Sequence, residues 1–317
     1  MDSTAAVVVT FNRKQLLSEC LDALLQQSVP LDAIYIVDNG STDGTKDFLE
    51  EQGYLGQPSI RYLALTHNTG GAGGFHAGMA AALQDGHHWV WVMDDDTEPY
   101  LDALEKMHVW KQYPEVVAIA NRKVDRQGIQ TRDGLRLLSK GSSASKPYTL
   151  IRFSSFVGLL IRVSTMKMIG LPRPEFFIHN DDTEYCLRLR SIGDIAFAND
   201  SVVAHKEIAR DQKSKKILSH TFYQKDIQGF CFGYFGHRNY AWIQQQYCKN
   251  PALRYLNLAG RFACFAAAVM AFDRDYRWLR LKILAKANVD GIRGNFDNGF
   301  PQRMKDQLKS DNAGKDH

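Results

Sequence analysis

Four times in the N-terminal third of the chain, a short apolar run ends in a polar loop and gives way to a segment of helical spacing. This alternation restricts the fold more than any other feature. Ala5-Ala6-Val7-Val8-Val9 is continuous, apolar and rich in β-branched residues. Such a run suits a central parallel strand covered on both faces. Lys14–Gln27 follows with Leu16, Leu17, Cys20, Leu21, Leu24 and Leu25 at helical spacing, and Pro30 stops it. Ala33–Val37 and Ile60–Leu65 read as the next strands, Lys46–Gln52 and about Phe75–Leu83 as the next helices, and Trp89–Met93 as the fourth strand. Repeated strand–helix units with short connections predict an open, mostly parallel α/β sheet whose ligands sit beyond the carboxyl ends of its strands.

The loops at that edge carry the chemistry. Trp89-Val90-Trp91-Val92-Met93 runs directly into Asp94-Asp95-Asp96. Adjacent carboxylates repel and raise one another's pKa, which a cation relieves. Hard oxygen ligands at a strand end suit Mg²⁺ or Mn²⁺ carrying a phosphorylated substrate. The alternative is a solvated acidic turn with Asp96 or Thr97 capping the next helix. The second strand ends in Asp38-Asn39-Gly40-Ser41-Thr42-Asp43-Gly44-Thr45, a tight loop in which Thr42 or Asp43 is placed to cap a helix. The third ends in His67-Asn68-Thr69-Gly70-Gly71-Ala72-Gly73-Gly74. This is no dinucleotide fingerprint, because His76 stands where the last glycine of G-x-G-x-x-G belongs. Its glycines permit close backbone approach, with donors at a helix start where an anion can sit. Trp89 and Trp91 alternate as core residues, one of them within reach of a ligand at that edge, and His87 and His88 close an exposed turn, with metal binding the alternative.

Further along, Asp102–Tyr113 reads as a helix and Val116–Ala120 as a strand; Asn121–Lys146 suits a hairpin or an acceptor-side loop. Phe153–Arg162 reads as a strand containing Gly158, and Ser164–Ile169 as a short helix. Asp181-Asp182-Thr183-Glu184 opens a helix through Arg190, and two short β pieces, Ile195–Ala198 and Ser201–Ala204, lead to His205.

At 317 residues the chain predicts one large domain with an appendage, or two domains. The expected division is an α/β domain over 1–215, in two parts that meet at about 120; a helical aromatic and basic region over 216–301; and a frayed polar tail over 302–317. Five cysteines, widely spaced and without a C-x-x-C pair, favour reduced thiols in a cytosolic compartment over disulfides or zinc. The N-terminus enters Ala5–Val9 without a basic region or cleavage site, so no signal peptide is expected. No run of about 18 uncharged apolar residues predicts a spanning helix.

Val7-Val8-Val9-Thr10-Phe11-Asn12-Arg13, the Val37–Thr45 loop, the strand into Asp94-Asp95-Asp96, Asp181-Asp182-Thr183-Glu184 and His205 together resemble family 2 glycosyltransferases of the GT-A fold over residues 5–207. That fold is Rossmann-like, a mostly parallel sheet flanked by helices, here with a mainly helical C-terminal extension. Asn68-Thr69-Gly70-Gly71-Ala72-Gly73-Gly74-Phe75 and the Asp-Asp-x-Glu form are most similar to bacterial galactofuranosyltransferases; rhamnosyltransferases share the remaining pattern.

The resemblance implies an inverting transfer from a nucleotide-diphosphate sugar onto a hydroxyl of a cell-surface glycan or lipid-linked acceptor. UDP-galactofuranose is the first expectation for the donor and dTDP-rhamnose the second. It places Thr10, Phe11, Asn12, Arg13, Asp38, Asn39, Asn68, Gly70, Gly71, Gly74, Asp94 and Asp95 at the donor. Asp94, Asp96 and His205 would hold Mn²⁺ or Mg²⁺, which neutralises the departing diphosphate. Asp182 is the expected base, with Asp181 its rival. His179, Asn180 and Glu184 are expected at the acceptor. Helix capping is the alternative for Asp181 and Asp182, and a favourable first-turn charge for Glu184.

Phe222, Tyr223, Phe230, Phe232, Tyr234, Phe235, Tyr240, Trp242 and Tyr247 crowd the start of the C-terminal third, and Leu253–Phe272 reads as an apolar helix with a polar stripe of Arg254, Asn257 and Arg261. Such a helix packs on the catalytic domain or on a second subunit. Alternatively, aided by Arg274, Arg277, Arg280, Lys282 and Lys286, it lies on anionic lipid at the inner membrane face. No nucleic-acid partner is expected. A sugar nucleotidyltransferase would want a glycine-rich loop after the first strand, which Val9-Thr10-Phe11-Asn12 lacks. A non-catalytic glycan-binding module would not need Asp94, Asp96, Asp182 and His205 together.

Overall fold

The computed structural model describes residues 2–131, 136–137, 146–206, 214–217, 220–223 and 226–313. It divides into two units: Met1–Pro174 with Asp181–Ile208, and Glu175–Asn180 with Ala209–His317.

In the first unit β1 (Thr4–Thr10), α1 (Lys14–Leu25), β2 (Ala33–Asp38), α2 (Thr45–Glu51), β3 (Ile60–Ala64), α3 (Gly70–Gln84) and β4 (Trp89–Asp94) are the expected strand–helix repeats. There follow β5 (Thr97–Pro99), α4 (Ala103–His108), β6 (Val116–Val124), β7 (Arg136–Leu137), β8 (Thr149–Phe153), β9 (Leu159–Arg162), α5 (Val163–Ile169), α6 (Asp181–Ile192) and β10 (Asp194–His205). Among the described residues the sheet order is β3-β2-β1-β4-β9-β6-β10-β8-β7, with β5 on β10. The first four strands of that order are mutually parallel, and β6 is parallel to β10. β9 enters antiparallel between β4 and β6, so the sheet is mixed.

Strand alternation sends Val8, Ile34, Ile36, Trp89, Trp91 and Met93 into one apolar layer with Leu17, Cys20, Leu21 and Leu24 of α1. Val7, Val9, Val37, Val90 and Val92 enter the opposite layer with Phe75 and Met79 of α3 and Tyr185, Cys186 and Leu189 of α6. Burial on both faces is why these strands read as continuous apolar runs. Trp89 and Trp91 are both core, and Trp91 Nε1 donates to the Gly158 carbonyl at 3.0 Å, so neither reaches toward a donor.

Several local expectations are corrected. The glycine run does not precede α3 but forms its first turns, because a Cβ at Gly74 would lie 2.5 Å from Val9 Cγ1 and one at Gly78 2.4 Å from Val7 Cγ1. α2 starts after left-handed Gly44 with no side-chain cap; Asp43 instead accepts from the Thr45 hydroxyl. Gly158, at φ +82°, lies outside the strands and separates β8 from β9. The two β pieces before His205 are one strand, β10, with a register shift at Ala198/Val202. The loop expected over Asn121–Lys146 falls partly outside the described residues; what is described there is the end of β6 and the β7 pairing with β8.

The second unit holds the hairpin β11 (Ser214–Ile217) and β12 (His220–Tyr223), then α7 (Ile227–Tyr247), α8 (Pro251–Phe272), α9 (Arg277–Arg293) and α10 (Phe300–Ala313). The tail expected to fray from residue 302 is helical as far as Ala313, and Leu308 is buried against Cys231, Tyr234 and Ile283; residues 314–317 lie outside the described set. A Cβ at Gly291 of α9 would sit 2.1 Å from the Arg238 carbonyl, so the two helices cross at a distance only glycine allows.

α8 is inside out. Asn257 donates to Gln244 of α7 at 3.1 Å, and the Arg261 guanidinium lies 4.4 Å from the Tyr240 ring. Leu253, Leu256, Ala259, Ala263, Ala267 and Met270 form the exposed side, with no charge among them. By length and composition α8 is long and apolar enough to cross a bilayer, while Arg254 and Arg261 keep its uncharged run shorter than a span, as expected.

Candidate active site

The parallel strands deliver the predicted residues to one sheet edge. β1 ends at Thr10, β2 at Asp38 and β4 at Asp94; His205 closes β10, and Asp181 opens α6. Thr10 Oγ1 donates to Asp95 Oδ2 at 2.8 Å. The Arg13 guanidinium lies 3.5 Å from Asp95 Oδ1 and 3.3 Å from Asp96 Oδ2. His205 Nε2 lies 3.3 Å from Asp96 Oδ1.

Electrostatics separate the three adjacent carboxyls. Burial, reinforced by Asp96 and Asp95, pushes Asp94 up to about 7. Burial pushes Asp95 up to about 6 against the Thr10 hydrogen bond and Arg13. Burial alone would raise Asp96 as well, but His205 and Arg13 hold it below the ordinary carboxylate value. Burial, more than mutual repulsion, therefore raises Asp94 and Asp95, and His205 and Arg13 set Asp96 apart from them. Two carboxylates and an imidazole are a fitting donor set for Mn²⁺, and for Mg²⁺ apart from the nitrogen. Among the described residues no three His, Cys, Asp or Glu side chains form a ready-made metal cage; of the expected three, Asp96 and His205 are in contact.

Other donor-side residues hold the edge together. Asp38 accepts from the Ser41 amide at 2.8 Å and from the Tyr62 hydroxyl, whose own pKa rises through burial and then this hydrogen bond. Asn39, buried, accepts from the Thr69 amide at 2.9 Å and donates to the Gly70 carbonyl at 2.9 Å. Asn68 Oδ1 accepts from the Gly70 amide at 2.7 Å, where Gly70 adopts φ +73°. Asn12, left-handed at φ +56°, accepts from the Thr42 amide at 2.7 Å. Asn12, Asn39 and Asn68 are therefore lashings between strand-end loops, and Gly74 is a packing residue under Val9. Phe11 is exposed, and at Gly71 no side chain approaches.

On α6, Asp181 is buried, and that burial, then the neighbouring Asp182 charge, raises its pKa well above the ordinary value. Asp182 is partly exposed, and its Oδ1 accepts from the Thr183 amide. Glu184 does not face solvent: it is fully buried, 2.8 Å from Arg188 Nη2 and 3.3 Å from Arg173 Nε. This ion pair ties α6 to the chain around it, a role at odds with contacting an acceptor. His179 and Asn180 belong to the second unit, where the Asn180 amide donates to the Gly236 carbonyl at 3.0 Å. Sequence reasoning missed Tyr62, whose strand position gave no sign of a polar partner. It also missed Lys123, a buried cation at the end of β6 that donates to Ser154 Oγ at 3.1 Å.

Residues 5–170 match the family model for glycosyl transferase family 2. The chain is 32% identical over 313 aligned positions to galactofuranosyltransferase GlfT1 of Mycobacterium tuberculosis, covering 92% of this chain and 98% of the relative. It is 30% identical over 302 positions to GlfT1 of Mycolicibacterium smegmatis, covering 89% and 95%. Among solved structures, the mannosyltransferase PcManGT from Pyrobaculum calidifontis in complex with GDP-Man and Mn²⁺ shares the fold at TM-score 0.57 and 17% identity, covering 92% of this chain and 87% of that one. Staphylococcus aureus TarS 1–349 in complex with UDP-GlcNAc does so at TM-score 0.57 and 15% identity, covering 95% and 92%.

Proposed function

The chain belongs to glycosyl transferase family 2 and is a glycosyltransferase, and from that premise we propose that it moves galactofuranose from UDP-galactofuranose, with inversion, onto a hydroxyl of a cell-surface glycan or lipid-linked acceptor. The observation that carries this reading is the gathering of Asp94, Asp95 and Asp96 with Arg13 and His205 at the edge where β1, β2 and β4 end. Similarity to the GlfT1 relatives supports the sugar, and the Mn²⁺ complex of a structural neighbour supports a divalent ion.

In this mechanism Asp38 accepts from the uracil N–H, and Arg13 faces the diphosphate. Asp94, Asp96 and His205 would hold Mn²⁺ or Mg²⁺, which would supply charge neutralisation for the leaving UDP. Asp182 takes the acceptor hydroxyl's proton as that oxygen attacks the anomeric carbon from the face opposite the diphosphate. Asp181 is the poorer base because it is buried, and that burial, then the Asp182 charge, raises its pKa well above the ordinary carboxylate value.

A donor screen with Mn²⁺ present, reading released nucleotide diphosphate, tests the sugar assignment. Faster turnover of UDP-galactofuranose than dTDP-rhamnose is expected, and the reverse preference removes the assignment. Asp182→Asn tests the enzyme reading against a non-catalytic binding module: transfer is lost while UDP binding persists.

The proposed setting is the inner face of the membrane. The outward side of α8 is uncharged and apolar, and beyond its C-terminal end stand exposed Arg274, Arg277 and Trp278, a combination suited to an anionic lipid interface. The protein is expected to float with phosphatidylglycerol vesicles and to release in high salt. A chain that stays in the soluble fraction with those vesicles contradicts this setting, and concentration-dependent dimers without vesicle binding assign α8 to a second copy.

A further inference from the structure

The segment Glu175–Asn180 belongs to the helical unit, although Asp181 and Asp182 follow it directly in the chain. Its backbone is unusual. Phe177, His179 and Asn180 have φ of +63°, +69° and +63°, a region that non-glycine residues seldom enter and that a bulky residue such as Phe enters only when its surroundings compel it.

What compels it is a pair of adjacent polar side chains on α7, both completely buried. Asn239 Nδ2 lies 3.0 Å from the Phe176 carbonyl, 3.0 Å from that of Ile178 and 2.7 Å from that of His179. Arg238 Nη2 donates to the carbonyls of Glu175 at 3.1 Å and Phe176 at 2.9 Å. Arg238 Nε donates to Asn239 Oδ1 at 2.9 Å, which fixes the amide with its donors toward the segment. Its Nη1 donates to Asn298 at 2.7 Å, and Phe177 stacks on Phe235 at 4.8 Å. The buried Asn239 amide nitrogen and one nitrogen of the buried guanidinium are thus directed at main-chain carbonyls of this one short segment.

We propose that Arg238 and Asn239 are positioning residues for the transfer reaction: they fix the strained strap 175–180 and thereby set where the next two residues, Asp181 and Asp182, enter α6. The inference rests on the reading of Asp182 as the base. It gives the helical C-terminal region a direct part in the chemistry, through a main chain it holds and not through a side chain at the sugar. An error of about 1 Å in the placement of a catalytic group costs on the order of a hundredfold in rate.

The test uses the full chain, Mn²⁺, UDP-galactofuranose and the best acceptor from a panel of alkyl galactosides. Asn239→Asp has the same shape but cannot donate to carbonyls. Its kcat is expected to fall about a hundredfold while the donor KM and the Kd for UDP stay within about twofold. Combined with Asp182→Asn, it is expected to cost nothing beyond Asp182→Asn alone, since both act through one group. If Asn239→Asp loses UDP binding, as a misfolded chain would, the same readouts are taken on Asn239→Ser, which keeps one donor. An unchanged kcat, or a loss that adds to that of Asp182→Asn, overturns the proposal. Should Asp182→Asn itself remain active, the base assignment has failed, and that outcome is distinct from an inactive Asp182→Asn beside a fully active Asn239→Asp.

Discussion

His205, the last residue of β10, places its Nε2 3.3 Å from Oδ1 of Asp96, just beyond the end of β4. If this pair shares a divalent ion with Asp94, chelation abolishes transfer and Mn²⁺ restores it. His205→Ala then raises the Mn²⁺ concentration needed for half-maximal rate by at least the roughly tenfold typical of losing an outer-shell partner. A metal titration of wild type against His205→Ala decides it; identical curves remove His205 from the ligand set.

Asp181 and Asp182 are expected to respond differently to amide substitution. Asp181 has a folded-state pKa above its ordinary value of 3.8, so above that value the folded chain binds a proton that the unfolded chain has released. Its contribution to stability is complete below the ordinary value and is lost as pH rises through the folded one. Asp181→Asn imitates the protonated form without that dependence. Its stability advantage over wild type therefore grows in urea melts as pH rises above the ordinary carboxylate value, and its activity persists. An advantage that shrinks with rising pH contradicts the assignment.

Glu184 is expected to matter for stability and not for substrate. Removing its carboxylate strands Arg188, whose guanidinium also donates to the Ile169 and Leu171 carbonyls at 2.7 and 3.0 Å. Breaking a buried pair from one side costs about 3–5 kcal/mol. Glu184→Ala should lower the melting temperature by about 6 °C or more at this size. A wild-type melting temperature combined with a raised acceptor KM would return Glu184 to the acceptor site.

Gly71 and Gly78 lie in the same helix and should give opposite signs. At Gly71 an added Cβ meets nothing within 4 Å, so Gly71→Ala gains up to about 1 kcal/mol of helix propensity. At Gly78 a Cβ would lie 2.4 Å from Val7 Cγ1 and 2.7 Å from Val37 Cγ2. Overpacking there costs about 1–3 kcal/mol, which outweighs the propensity gain. Chemical melts of both variants check the pair, and a stabilised Gly78→Ala would mean that α3 shifts freely.

Much of this fold was legible because β1, β2 and β4 are covered on both faces and so carry unbroken apolar runs. The start of α3 was not: glycine argues against helix locally, and the reason to use it here is the close approach of Val7 and Val9 from another strand. α10 was hidden because its apolar contacts are few, Leu308 buried with Phe300 and Met304 partly so, in an otherwise polar stretch. Asp38, the acidic triplet, Asp181, Asp182 and His205 could be read because strand ends and chain order mark them. The jobs of Asn12, Asn39 and Asn239 could not, since each is defined by backbone groups that only folding brings to it.

The tight seating of Gly74 and Gly78 on Val9 and Val7 leaves α3 no freedom to slide or tilt against the first strand. Descendants of such a chain that came to handle a different sugar would therefore have to do so by rewriting the surface loops, while this helix and strand passed on together as one inherited piece.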